Sequence, residues 1–134
     1  MVLKNKQLLK EVVTLLSNYS SADRLHVGAV LIKDGRIICT GYNGHPNKQP
    51  HKCIMKNGHD VSTIHAEMNI LCFCARHGIK TNDCTMVVSH FPCMNCTKHL
   101  YQAGIKNVYY INDYHNKDNY YWDLIKIKQI DCYI

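Results

Sequence analysis

The amino-acid sequence predicts an α/β fold in which helices cover both faces of a mixed β-sheet. An amphipathic N-terminal segment is followed by two strand-length apolar runs joined by Asp34-Gly35, which is a typical hairpin turn. Further along, helix-like and strand-like segments alternate, which predicts right-handed crossovers and mainly parallel strands. The 134 residues contain no repeat and no low-complexity tract, so we expect one domain over residues 1–134.

The first half of the chain is predicted to contain one helix, one hairpin and one long loop. Apolar side chains recur at helical spacing over residues 4–19. Short apolar runs over 26–32 and 36–42 predict the two hairpin strands. Residues 41–63 are rich in glycine, proline and histidine and show little periodicity, which predicts a loop. We expect this loop to wall a substrate pocket, because it leads directly into the metal motif described below.

The second half of the chain is predicted to contain two helices among three strands. Residues 65–77 are apolar almost all round, which predicts a helix buried between layers that ends near Gly78. The other predicted segments are a strand at 84–89, a helix at 93–103 closed by Gly104, a strand at 107–111, a weak helix at 119–126 and an edge strand at 129–134.

Composition and charge limit the partners that the chain can have. The net charge is +6, which suits an anionic ligand, but the basic residues are too scattered to predict a nucleic-acid surface. No apolar run approaches the ~18 residues of a membrane span, and the amphipathic start of the chain does not resemble a signal peptide. We therefore expect a cytoplasmic protein without a membrane or nucleic-acid partner.

The eight cysteines do not predict a disulfide framework, because thiols stay reduced in the cytosol. Cys93 and Cys96 belong to the metal motif. Five others lie in apolar runs and are expected to be buried, inert thiols: Cys39, Cys72, Cys74, Cys84 and Cys132.

Two short segments predict a catalytic metal site. His65 and Glu67 form an H-x-E pattern, and Pro92 precedes Cys93 and Cys96 in a P-C-x-x-C pattern. One imidazole and two thiolates are enough to hold a zinc ion with its fourth position open, as catalytic zinc sites require. This combination matches the signature of zinc-dependent nucleobase deaminases.

The deaminase signature implies hydrolysis at C4 of a cytosine ring, and the spacing of these residues suits the zinc site that this reaction needs. Cys93 and Cys96 project from one face of a helix and lie in its first turn, where the helix dipole favours thiolate. His65 opens the other helix and can reach the same point. Zinc bound in this way lowers the pKa of a water molecule to roughly 7. Glu67 is then expected to shuttle protons from the water to ring N3 and to the leaving ammonia.

Other interpretations of the cysteines remain open. Cys93 and Cys96 could form a redox pair, but that would leave His65 and Glu67 unexplained. A purely structural zinc would need ligands from the long loop, and a second, structural zinc could be built there. The loop residues that could supply either site are His51, Cys53 and His59.

With these residues in hand, the chain resembles the deoxycytidylate (dCMP) deaminases of the cytidine deaminase superfamily, from about Arg24 to Tyr114. Bacterial late-competence deaminase-like proteins share much of its second half. Beyond the metal motif, the resemblance rests on residues 25–30 (LHVGAV), 41–46 (GYNGHP), 63–69 (TIHAEMN) and 104–110 (GIKNVYY). It implies a five-stranded sheet flanked by helices, one zinc ion, and conversion of dCMP to dUMP plus ammonia, which feeds dTMP synthesis. It also implies a homo-oligomer, commonly a hexamer.

The resemblance also implies roles for residues around the metal. His65, Cys93 and Cys96 match the zinc ligands and Glu67 matches the proton shuttle. Asn43 matches a sugar contact, Ala66 a backbone donor to the base carbonyl, and Tyr114 an aromatic side chain at the nucleotide site. Arg24 is a candidate for the phosphate, because its fork of donors suits that group; it could also be an exposed loop arginine. The remaining candidates for shaping the pocket are Ile64, Asn69 and Ser89.

Related families provide the competing functions. The tRNA adenosine deaminases share the metal motif but need a basic surface to hold RNA. Free-nucleoside cytidine deaminases typically use a cysteine where this chain has His65, and a non-catalytic binding protein would be expected to lose Glu67. Two departures from the dCMP deaminase pattern also matter. Residues 47–51 differ from the loop linked to nucleotide control, and Ser20 and Ser21 lie where some relatives have a structural-zinc cysteine.

Overall fold

The computed structural model describes residues 4–113, 121 and 123–130. A five-stranded sheet lies at its centre, and a separate two-stranded sheet lies in the long loop. The elements, in chain order, are α1 (Lys6–Ser17), β1 (Gly28–Lys33), β2 (Arg36–Tyr42), β3 (Met55–Lys56), β4 (His59–Asp60), α2 (Ala66–His77), β5 (Thr85–His90), α3 (Met94–Gln102), β6 (Asn107–Asn112) and β7 (Lys126–Gln129).

The main sheet is mixed and has the strand order β2-β1-β5-β6-β7. β1 pairs antiparallel with both β2 and β5, while β5, β6 and β7 run parallel to one another. Helix α1 packs on one face, and α2 and α3 pack on the other. The predicted three-layer α/β/α fold with a five-stranded mixed sheet is confirmed.

The core explains why β1 and β5 are nearly continuous apolar runs. Ala29 and Leu31 point towards α2 and α3, whereas Val30 and Ile32 point towards α1. A strand that is covered on both faces carries apolar side chains at every position. Gly28 begins β1 where α1 passes very close: a Cβ at this position would overlap the carbonyl oxygen of Val13.

The prediction of a loop over residues 41–63 was incomplete, because this segment contains the hairpin of β3 and β4. Asn57 and Gly58 both have positive φ angles, 51° and 78°, as the turn of a tight two-residue hairpin requires. An isolated bridge between Gly44 and Ile64 joins the two ends of this segment. The hairpin excursion, residues 44–64, is therefore anchored at both ends.

Helix α2 begins one residue later than predicted, because His65 is its extended N-cap, and it ends as predicted before Gly78, whose φ is 69°. The prediction that it is buried on all sides was wrong. Phe73 is 47% exposed, and Cys72 is exposed although it was expected to be buried. The cause is that α2 packs against the sheet and against α3, whereas the side that carries Cys72 and Phe73 is left exposed among the described residues. Cys39, Cys74 and Cys84 are buried as expected, and Cys132 lies outside the described residues.

The C-terminal predictions were partly wrong. Tyr121 and residues 123–124 are turns, and Lys126 already begins β7, so the weak helix at 119–126 does not form over its described part. The edge strand exists, but it begins three residues earlier than predicted and pairs parallel with β6; residues 131–134 lie outside the description. Within the described ranges, the helices are too short or too polar to cross a membrane.

Candidate metal centre and adjoining cavity

The N-termini of α2 and α3 meet at one point and carry the metal motif. His65 is the N-cap of α2, and Cys93 is the N-cap of α3. The Sγ atom of Cys93 accepts a hydrogen bond from the backbone N–H of Cys96 at 3.4 Å. The residues that precede each helix hold its first turn in place: the Gly44–Ile64 bridge precedes α2, and β5 precedes α3. The positive ends of both helix dipoles therefore face the same site.

The three predicted ligands come together in a geometry that fits zinc. The Nδ1 atom of His65 lies 3.5 Å from Sγ of Cys93 and 3.4 Å from Sγ of Cys96, and all three ligand atoms lie within 4.8 Å of one another. Tetrahedral zinc with bonds of about 2.0 Å to nitrogen and 2.3 Å to sulfur separates such ligands by about 3.5 Å. The site thus fits one catalytic zinc, bound through Nδ1 of His65.

The protonation of the ligands also suits a cation. A hydrogen bond from the Cys96 thiol, together with one from His65, lowers the pKa of Cys93 to about 4. The pKa of Cys96 is raised, first by that same hydrogen bond to Cys93 and then by burial. Cys93 is therefore a thiolate without any metal, and the second proton leaves when a cation arrives.

Glu67 places a carboxyl group in a nearly dry position beside the ligands. Its side chain is 4% exposed, and burial raises its pKa. The Cys96 thiol and the backbone N–H of Glu67 itself are its partners. A carboxyl group with a raised pKa can hold and release a proton near neutral pH.

A cavity of about 620 Å³ opens in front of the ligands, which is the size of a small-molecule site. Its walls come from residues 22–27, the hairpin excursion and the starts of both helices. His65, Glu67 and Cys93 line it together with Arg24 and His59. Arg24 is exposed, and its Nη1 atom lies 3.5 Å from the Gly58 carbonyl oxygen. One cavity therefore joins the metal site to an exposed guanidinium group.

The other predicted substrate residues are placed unequally. Asn43 and Ala66 line the cavity with Arg24, whereas Ile64 forms the backbone bridge to Gly44 and does not line it. Ser89 is buried behind the wall, where its hydroxyl accepts from the Gly28 N–H at 3.0 Å. The roles of these four residues (Asn43, Ala66, Ile64 and Ser89) as substrate contacts stay predictions. Asn69 donates to the Tyr42 carbonyl at 2.8 Å, and Tyr114 lies outside the described residues.

Asn43 holds one wall of the cavity in place. Its Oδ1 atom accepts from the Val27 N–H at 2.8 Å, and its Nδ2 atom donates to the Leu25 carbonyl at 2.6 Å. The side chain is only 8% exposed. One amide hydrogen of Asn43 remains for a ligand.

The sequence did not reveal a hydrogen-bonded chain that ties the cavity walls together. The His45 ring lies 2.8 Å from the Ser21 hydroxyl and 3.2 Å from the Ser62 hydroxyl, and Ser62 donates to the Asp60 carboxylate. Polar loop residues show no periodicity, so no pattern could have paired residues 21, 45 and 62. The only available signal was the abundance of histidine in this loop.

The loop residues considered for a structural zinc do not assemble such a site. His51 stacks on His45 with ring centroids 5.1 Å apart, Cys53 interacts with Asp60, and His59 lines the cavity. Over the part of the chain that the structure describes, the only group of three or more ligand side chains close enough for a metal is the His65, Cys93 and Cys96 set.

Comparisons with known proteins agree with this site. The family model of the cytidine and deoxycytidylate deaminase zinc-binding region matches residues 3–112. ComE operon protein 2 of Bacillus subtilis (strain 168) is 43% identical over 104 residues, which cover 75% of this chain and 55% of that protein. The chain therefore spans about half the length of that relative.

Two further proteins match over most of their length. Deoxycytidylate deaminase of Enterobacteria phage T2 is 31% identical over 155 residues, which cover 84% of this chain and 82% of that protein. The crystal structure of dCMP deaminase from the cyanophage S-TIM5 in complex with dCMP and dUMP is similar with a TM-score of 0.84 and 30% identity, covering 96% of this chain and 98% of that one. Together with the match of the family model, these similarities show that the chain belongs to the cytidine and deoxycytidylate deaminase family.

Proposed function

We propose that the chain hydrolyses dCMP to dUMP with release of ammonia, a reaction that feeds dTMP synthesis, and that residues 1–134 act as one deaminase domain. The observation that carries the proposal is the buried carboxyl group of Glu67 beside three zinc ligands in one cavity. The relatives named deoxycytidylate deaminase, and the cyanophage enzyme solved with dCMP and dUMP, support this nucleotide as the substrate.

The reaction exchanges the amino group at C4 of cytosine for the oxygen of water. Zinc, when bound, supplies a water molecule of lowered pKa. Glu67 moves the protons: its carboxylate takes one from the water and delivers it to ring N3, and then takes the second from the hydroxyl group on C4 and passes it to the amino group, which leaves as ammonia while the C4 carbonyl forms. The backbone N–H of Ala66 donates to the base carbonyl, because it lies in the first turn of α2 and has no acceptor within the helix.

The rest of the nucleotide extends along the cavity. Arg24 binds the 5′-phosphate, since an exposed guanidinium group in the same cavity as the metal ligands offers paired charged donors. Asn43 contacts the sugar through its remaining amide hydrogen, and Tyr114 contributes an aromatic surface.

We also infer a homo-oligomer, with a hexamer favoured. Exposed apolar side chains on α2 and α3 support it, because such patches mark association surfaces. They include Phe73 and Tyr101, which are 47% and 48% exposed. Sedimentation velocity tests the inference: a single species at monomer mass across micromolar concentrations would contradict it.

Ammonia release in parallel assays tests the proposed reaction. The zinc-loaded protein is incubated separately with dCMP, deoxycytidine, dCTP and a tRNA anticodon stem. We expect rapid turnover of dCMP and little of the other three. Deamination of the RNA without turnover of dCMP would indicate a tRNA adenosine deaminase instead. No turnover of any of the four substrates with zinc bound would favour a binding protein.

A further inference from the structure

His90 contributes a side chain to the cavity that the proposed mechanism does not use. It is the last residue of β5 and lines the same cavity as His65, Glu67 and Cys93. Its ring is half-buried, and its Nδ1 atom lies 2.8 Å from the hydroxyl oxygen of Ser89. The resemblance implied that Ser89 shapes the pocket, and it did not single out His90, the next residue of the same strand.

The surroundings of Ser89 decide which nitrogen of His90 carries the hydrogen. The Ser89 side chain is 3% exposed, and its oxygen already accepts from the Gly28 N–H at 3.0 Å. Within the described ranges, Nδ1 of His90 is the only acceptor for the Ser89 hydroxyl hydrogen. Nδ1 therefore accepts, and the hydrogen of the neutral ring is on Nε2. Burial lowers the pKa of His90, which also favours the neutral ring.

The Nε2–H group is available to a ligand. Among the residues that the structure describes, it has no hydrogen-bond partner, yet no buried side-chain nitrogen or oxygen is left without one. Nε2 is therefore not fully buried, and the cavity is the open space that the His90 side chain lines. A backbone N–H, a buried hydroxyl and an imidazole thus form a directed chain that ends in one donor in the pocket.

We propose that His90 is a further substrate-binding residue that donates its Nε2–H to an acceptor on the base or sugar of the nucleotide, and that Ser89 is the positioning residue that fixes its tautomer. This inference rests on the proposed function. A neutral donor suits a carbonyl or hydroxyl oxygen, whereas a phosphate favours a charged partner such as Arg24. The sheet supports the same assignment. The Asn43 N–H donates to the Val27 carbonyl, and the antiparallel register that pairs Ala29 with Val88, continued by two residues, puts His90 opposite Val27. Asn43 and His90 therefore lie on either side of Val27 at one end of these strands.

Three variants separate the hydrogen bond from packing. His90→Leu removes the donor but keeps an apolar side chain of similar bulk, while His90→Gln can place an amide N–H near the position of Nε2. Ser89→Ala leaves His90 in place but frees its tautomer. For each variant, zinc content and circular dichroism are compared with wild type, and kcat and KM are measured for dCMP and for deoxycytidine. The dissociation constant of dUMP is measured by calorimetry.

The expected pattern is specific. His90→Leu lowers kcat/KM about tenfold for both substrates, as expected for one lost hydrogen bond, and weakens dUMP binding by a similar factor. His90→Gln recovers most of this loss, and Ser89→Ala gives an intermediate loss. In spectra of protein labelled with ¹⁵N-histidine, the wild-type His90 ring shows the Nε2–H tautomer, and Ser89→Ala shows a mixture.

Four results would overturn the proposal. They are an effect of His90→Leu within twofold on both substrates, a loss for dCMP but not for deoxycytidine, a Gln variant as weak as the Leu variant, and a wild-type ring protonated on Nδ1. Failure of the proposed reaction can be told apart from these results, because the wild type would then lack turnover of dCMP. In that case the dissociation constant of dUMP tests the role of His90: an affinity unchanged in His90→Leu, or no binding by the wild type, would overturn this inference too.

Discussion

Asn43→Ala is expected to lower the free energy of unfolding by about 2–3 kcal/mol. The side chain makes two hydrogen bonds, to the Val27 N–H at 2.8 Å and to the Leu25 carbonyl at 2.6 Å. Removing it leaves both backbone groups without a partner, and each orphaned group costs about 1–3 kcal/mol. Leu25 and Val27 are half-buried, so water reaches them in part and the cost falls at the lower end of that range.

Equilibrium urea unfolding, followed by circular dichroism at one fixed excess of zinc, measures this loss. Asn47→Ala is the matched control: Asn47 follows in the same loop and is exposed, so its loss should stay within about 0.5 kcal/mol. Asn43→Asp keeps the acceptor for Val27 but places a carboxylate against the Leu25 carbonyl, so it should also destabilise. If Asn43→Ala matched the Asn47 control, Asn43 would not hold the cavity wall.

Three further predictions follow from the same structure. Iodoacetamide should modify exposed Cys72 first in the zinc-loaded protein. Removal of zinc by a chelator should make Cys93 the fastest site, because its pKa of about 4 keeps it a thiolate. Peptide mapping by mass spectrometry checks the order, and labelling of Cys93 at the same rate with and without zinc would contradict it. The folded-state pKa of Asp60 is lowered from 3.8 to about 2, first by the Ser62 hydroxyl. Its contribution to the stability of this loop is therefore fully present above pH 3.8 and is lost as the pH falls through about 2. Pepsin should cut residues 53–62 increasingly over that window, whereas Asp60→Asn should be cut at every pH in it. Gly28→Ala should destabilise by about 2–3 kcal/mol through overlap with α1, which thermal unfolding measures, whereas Gly35→Ala, with open space around it, should cost only about 1 kcal/mol of strain.

The sequence was informative where a local rule ties residue identity to geometry. His65, Cys93 and Cys96 were identifiable because a metal site needs particular donor atoms, and the i, i+3 spacing of the two cysteines puts both on one helix face. The α/β/α layers followed from the alternation of helical and strand-like segments. The same rules gave the end of α2 at Gly78, which has the positive φ typical of that position.

The sequence was less informative where the answer depends on contacts between distant segments. Strand β5 is buried on both faces, so its pattern could not show that His90 lines the cavity while Ser89 lies behind it. The apolar composition of α2 could not show that Phe73 faces outwards, because composition does not reveal which layer covers a helix. Asn57-Gly58 was a turn signal, but its flanking residues lack the apolar alternation that normally marks a hairpin.

The most direct test of the account is dUMP formation from dCMP by Glu67→Gln compared with the wild type, with zinc content measured on the same samples. Glutamine keeps the shape of the buried side chain but cannot carry the protons. We expect one zinc per chain in both proteins and at least a ~100-fold fall in kcat for the variant. A zinc-loaded variant that retained activity within tenfold of wild type would contradict the role of Glu67 and, with it, the proposed chemistry of the site.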